Sequence, residues 1–207
     1  MSDADTPERL RLFIAIQIPE QIKVELAAAQ AELHRFLPER GVTWTKPEQF
    51  HLTLKFLGHV EARRVADLTR HLKGTCRNFA PLHLAAERVG AFPDMRYPRV
   101  VWVGLKDDSG KLEQLEAAIE ATSRDYTREP SADKFSGHAT LGRAKRLNRR
   151  ETQVLVDWLA RKAESSFGDW TATEVELMRS ELSSAGARHT CLERFPLAGD
   201  TATGPHE

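Results

Sequence analysis

The feature that most limits what this chain can fold into is a segment that occurs twice. Phe50-His51-Leu52-Thr53-Leu54-Lys55-Phe56-Leu57-Gly58 and Phe135-Ser136-Gly137-His138-Ala139-Thr140-Leu141-Gly142-Arg143 share a His-x-Thr-Leu centre. Side chains alternate along an extended chain, so each segment reads as a β-strand with His and Thr on one face. In the first, Leu52, Leu54 and Phe56 fall on the opposite face and Lys55 falls beside His51 and Thr53. In the second, Ala139 and Leu141 fall opposite His138 and Thr140. A fold that accommodates both presents two half-sites, and two imidazole–hydroxyl pairs suit a single anion held between them.

The intervening chain predicts the scaffold. Residues 11–18 are nearly all apolar and read as a central strand. After Pro19, which suits a first helical turn, Ile22, Leu26, Ala29, Leu33 and Phe36 recur at helical spacing, and Pro38 and Gly41 end the helix. A short strand over 42–45 leads to the first repeat, expected to stop at Gly58. Val65, Leu68 and Leu72 predict a second helix closed by Gly74. A strand over 82–89, a loop from Gly90 through Pro98 and a strand over 100–105 follow. Asp107-Asp108-Ser109-Gly110 supplies turn and cap residues before a helix on Leu112, Leu115, Ile119 and Thr122. Residues 128–133 read as polar loop. Asn148 and Glu151 have capping-box spacing ahead of a helix on Val154, Leu155, Trp158 and Leu159. Strands near 173–178 and 189–192 close the chain.

Strands and helices mix without a regular β-α-β-α alternation, which predicts the α+β class with largely antiparallel pairing. With 207 residues, 41% of them hydrophobic, the chain can bury one sizeable core. No Pro-, Gly- or Ser-rich linker divides it. We expect a flexible N-terminus over 1–9, a single two-lobed domain over 10–198 and a flexible tail over 199–207. The 30 basic and 30 acidic residues balance, which excludes a general polyanion binder and makes any basic site local. Cys76 and Cys191 lack zinc-type spacing and fit a reduced protein, a single disulfide being left open. The start does not read as a signal peptide and no run of about 18 apolar residues is present, so neither secretion nor a spanning helix is expected, and the cytoplasm is the expected compartment. G-x-S-x-G, P-loop and H-E-x-x-H patterns are missing, which removes serine-hydrolase, nucleotide-triphosphate and zinc-protease readings.

Histidine gives or takes a proton near neutral pH. Placed on either side of a phosphorus, one ring can remove a proton from attacking water while the other protonates a departing sugar oxygen. The hydroxyls of Thr53 and Thr140 can donate to non-bridging oxygens and hold the group in line. This chemistry needs no metal or cofactor. The residues alone do not say which histidine is acid and which is base.

On these segments the chain resembles the 2H phosphoesterases, most closely the RNA 2′,3′-cyclic phosphodiesterases once named for 2′-5′ RNA ligase activity. The resemblance extends through residues 11–16 with Pro19, residues 44–58, Gly90, Phe92-Pro93, residues 98–104, residues 135–143 and residues 177–197. It implies a two-lobed, pseudo-twofold fold whose central cleft takes one motif from each lobe. It also implies hydrolysis of RNA 2′,3′-cyclic ends, or cyclic nucleotides, to 2′-phosphomonoesters. By motif position His51 carries over as proton donor and His138 as proton acceptor, with Thr53, Thr140 and Arg143 at the phosphate. Arg143 lies five residues past His138, so it reaches the site only if the strand ends or bulges. Gly137 and Ala139 depart from the Pro and large aliphatic residue common there, Gly137 loosening the backbone and Ala139 burying less surface. His189 stands where Tyr is common. A monomer is expected. The rival readings are 2′-5′ ligation, cleavage of small cyclic nucleotides, and a binder of RNA ends without turnover.

Other residues have plainer readings. The run Arg143, Lys145, Arg146, Arg149, Arg150 can funnel an RNA backbone, though a solvated loop and helix start is favoured. Lys55 reads as a surface lysine. Phe13, Phe56 and Trp102 can stack a base, though core packing is favoured. His34, His59, His71, His83 and His206 read as surface residues.

Overall fold

The computed structural model describes residues 8–130, 134–183 and 186–199. Nine strands and four α-helices follow in the order β1 (Arg9–Gln17), α1 (Glu20–His34), β2 (Val42–Trp44), β3 (His51–Glu61), α2 (Val65–Cys76), β4 (Leu82–Phe92), β5 (Val100–Lys106), α3 (Lys111–Ser123), β6 (His138–Ala144), α4 (Arg149–Lys162), β7 (Ser166–Ala172), β8 (Glu174–Ser183) and β9 (Gly186–Pro196). They build two wholly antiparallel sheets, β3-β1-β8-β9 and β2-β6-β5-β4-β7, which establishes the α+β class. Each sheet holds one His-x-Thr strand, and each histidine is the first residue of its strand.

The helices fill the far side of the sheets. Ile22, Leu26, Ala29 and Leu33 of α1, Leu68 and Leu72 of α2, Leu112, Leu115 and Ile119 of α3, and Leu155, Trp158 and Leu159 of α4 are buried, as their spacing predicts. They join residues of both sheets in one apolar cluster. Asp107 accepts from the backbone N–H groups of Lys111 and Leu112 at the start of α3. Asn148 and Glu151 close the expected capping box on α4.

Several local readings are corrected. Phe36 lies past the end of α1 and is 57% exposed, so it is not part of the buried stripe. Pro19 occupies the N-cap position. Helix α2 runs through Gly74 to Cys76, and β4 runs through Gly90 to Phe92 where a loop was expected. Strand β7 was missed because Gly168 (φ 99°) and Asp169 interrupt its apolar alternation of Phe167, Trp170 and Ala172. Cys76 and Cys191 are both free. Arg9, assigned to the N-terminal segment, pairs with Glu61 in the sheet, while residues 1–7 lie outside the described residues. Gly199 still donates its N–H to Phe79 O; residues 200–207, like His206 among them, lie outside the described residues. Residues 131–133 of the expected polar loop do so too. No helix of the described residues is long and apolar enough to cross a membrane.

The larger correction concerns both repeats. Strand β1 steps from Ala15 to Ile14 while β3 steps from Thr53 to Lys55, so Leu54 is an extra residue. Strand β5 steps from Val101 to Trp102 while β6 steps from Gly142 to Thr140, so Leu141 is extra. Each repeat therefore carries a β-bulge directly after its threonine, and the bulge inverts the alternation beyond it. Phe56 turns to the His51 face and is 48% exposed, whereas Lys55 turns inward and is 6% exposed. Both positions reverse the sequence reading. A second shift at Leu57–Gly58, where Gly58 has φ 62°, lets β3 continue to Glu61 instead of stopping.

Candidate active site

The two histidine strands wall one cleft of about 420 Å³. His51, Thr53, His138, Thr140 and Arg143 all line it, together with Arg11, Phe13, Trp44, Gln49, Phe56 and His189. The bulge at Leu141 brings Arg143 to the cleft, as the sequence reading required. Of the basic run that begins at Arg143, only Arg143 lines the cleft.

The histidines are held alike. Nδ1 of His51 lies 2.7 Å from Gln49 O, and Nδ1 of His138 lies 2.7 Å from Ser136 O. A carbonyl only accepts, so each Nδ1 carries the proton and each Nε2 is left to exchange one. Phe13 lies 5.0 Å from the His51 ring, and Phe92 lies edge-on to His138 at 5.0 Å. His189 meets His51 edge-on at 5.5 Å and Phe13 at 4.9 Å.

Burial sets the electrostatics. It pushes His51 down to about 4, against the opposing effect of the Gln49 carbonyl; the like charge that His189 and His138 carry when protonated, and that of Lys23, push the same way. Burial also holds His138 below the ordinary histidine value, opposed by the Ser136 carbonyl and aided by Arg143. His189 is lowered by burial and by Arg11. All three rings are therefore neutral in the free protein at pH 7, and an anion between them favours their protonation.

Supporting contacts hold the strands. Gln30 of α1, 9% exposed, donates at 2.7 Å to both Thr45 O and Leu141 O, so it grips the bulge of β6. Lys55 Nζ lies 2.7 Å from Glu120 Oε2 of α3 and 3.3 Å from Pro130 O, tying β3 to the chain that approaches β6. A Cβ on Gly137 would stand 2.3 Å from Leu105 O. The backbone at Gly137 thus passes too close to Leu105, whose N–H donates to Gly137 O, for any side chain to fit without a shift. Ala139 is fully buried, confirming a core position.

Sequence reasoning left Phe92 in a loop and assigned Phe13 to the core. Phe13 is only 2% exposed, yet it lines the cleft; Trp102 is partly buried against Phe92 at 5.3 Å. Among the histidines read as surface residues, His59, His71 and His83 are exposed, His71 also lying 2.8 Å from Tyr126 OH, and His34 rests half-buried on Trp44.

Comparison with known proteins decides the family. Residues 16–102 match the family model described as LigT like Phosphoesterase. A curated RNA 2′,3′-cyclic phosphodiesterase of Thermus thermophilus is 34% identical over 208 residues, spanning 96% of this chain and 98% of that one. One from Archaeoglobus fulgidus is 31% identical over 186 residues, spanning 90% and 99%. The chain belongs to the LigT-like phosphoesterases. Membership in this family makes it a phosphoesterase, and the fold agrees. A crystal structure of a Thermus thermophilus protein aligns with a TM-score of 0.76 at 30% identity over 92% of this chain and 100% of that one. Escherichia coli LigT complexed with 3′-AMP shares the LigT-like fold with a TM-score of 0.72 at 24% identity, over 92% and 99%.

Proposed function

We propose that this LigT-like phosphoesterase hydrolyses RNA 2′,3′-cyclic phosphate ends to 2′-phosphomonoesters by two-histidine acid–base catalysis without a metal. The observation that carries the reading is the matched pair of imidazoles, each with Nδ1 on a backbone carbonyl, lining one cleft beside Thr53, Thr140 and Arg143. His138, neutral at Nε2, accepts a proton from water as the water oxygen bonds to phosphorus. The P–O3′ bond breaks opposite, and His51 gives its Nε2 proton to O3′, leaving the phosphate on O2′. His51 needs a proton that burial disfavours, and the negative phosphate supplies the compensating field. Thr53, Thr140 and Arg143 hold the non-bridging oxygens.

Phosphorus NMR on a 2′,3′-cyclic nucleotide tests this, with a 2′-phosphate expected. Loss of either proton-transfer group in His51→Ala or His138→Ala should slow turnover by about 10²–10⁴-fold while circular dichroism stays unchanged. Full activity in either variant, or wild-type activity lost in EDTA and restored by a divalent metal, would overturn the mechanism.

A further inference from the structure

Beside the cleft lies a second cavity of about 450 Å³, lined in part by Gln17, Lys46, Glu48, Met178, Arg188 and His189. The two adjoin: Lys46, Gln49, His51, Gly186, Ala187 and His189 line both. They adjoin on the His51 side alone, because His138, Thr140 and Arg143 line only the cleft. In-line displacement places attacking water and departing O3′ on opposite sides of phosphorus, and the ribose, which stays bonded to phosphorus through O2′, lies on the O3′ side. If His51 protonates O3′, the sugar lies against His51, and the chain attached to it has this cavity to enter.

The lining of this cavity carries more positive than negative charge. Lys46, on the connection between β2 and β3, and Arg188, on β9, come from distant parts of the chain and line the same space. Both are exposed, and neither has an ion pair among the described residues, whereas Lys106, Lys162, Arg179 and Arg194 all pair with carboxylates. Glu48 is the one carboxylate of the lining, and Lys23 Nζ lies 3.4 Å from its backbone carbonyl. The balance of charge is cationic in a protein whose total is zero.

We infer that this side cavity receives the nucleotide preceding the cyclic end, with Lys46 and Arg188 on its connecting phosphodiester, so that the enzyme prefers an oligonucleotide to a cyclic mononucleotide. The inference rests on the function proposed above. The test compares kcat/KM for a short RNA ending in a 2′,3′-cyclic phosphate with kcat/KM for the matching cyclic mononucleotide. Wild type should favour the RNA, and losing one phosphate contact in Lys46→Gln or Arg188→Gln should lower that ratio about 3–10-fold and flatten its salt dependence. Wild-type hydrolysis of both substrates with a ratio unmoved by either substitution would overturn the subsite and leave the function standing. Hydrolysis of neither substrate by wild type would overturn the function itself.

Discussion

At the scale of single residues, the two imidazoles of the repeated segments differ from free histidine by being hard to charge. Burial is the first cause for both, and it carries His51 to about 4. The pH dependence of kcat/KM, which reports the free enzyme, should therefore be a bell with both limbs below pH 6.5. That of kcat should lie at higher pH, because bound phosphate stabilises the imidazolium. A kcat/KM optimum above pH 7 would refute the electrostatic account. His51, Thr53, His138 and Thr140 were legible in the sequence because strand alternation depends only on spacing. Lys55 and Phe56 were misassigned by the same rule, since a bulge leaves no mark in the order of residues. Arg143 was recoverable only because its assigned role required such a bulge.

At the scale of elements, the bulges decide which side chains reach the cleft, and particular contacts sustain them. Gln30→Leu removes the donor to Thr45 O and one of two donors to Leu141 O. Orphaning the half-buried Thr45 carbonyl and halving the donors to Leu141 O should cost about 1 kcal/mol in urea unfolding, and kcat should fall in the same variant because Leu141 sits between Thr140 and Arg143. Lys55→Met strips the cation from Glu120 beneath β3, with Glu116 nearby already raised by burial and by Glu120. Losing this largely buried charged contact should cost about 1–3 kcal/mol, measured the same way. The helices were legible because three- and four-residue apolar spacing survives a displaced end. Strand ends were not: β4, β8 and β9 outrun their apolar stretches because sheet pairing extends them, and β7 needed its neighbour β4 to be seen.

At the scale of the whole molecule, three histidines with lowered proton affinity surround one opening. A base whose folded value is depressed lends stability that is present above its unfolded value, near 6.5, and is lost as pH falls toward its folded value, about 4 for His51. The melting temperature should thus fall between pH 6.5 and 4. Inorganic phosphate should restore it more at pH 5 than at pH 7, since the anion favours the protonated rings. Equal stabilisation at both values would show that the rings do not titrate with the anion. That the two sheets face one another across a shared cleft was foreseen from the repeated segment. The cavity beside it was not, because Lys46 and Arg188 are far apart in the chain and neither belongs to a repeat.

The twin bulges place Phe56 and Arg143 at equivalent steps, five residues beyond their histidines. One step received a hydrocarbon ring and the other a permanent cation. A ligand rotated by half a turn therefore meets a different wall at each end. Together with a side cavity that adjoins the His51 end alone, this mismatch gives the opening a front and a back.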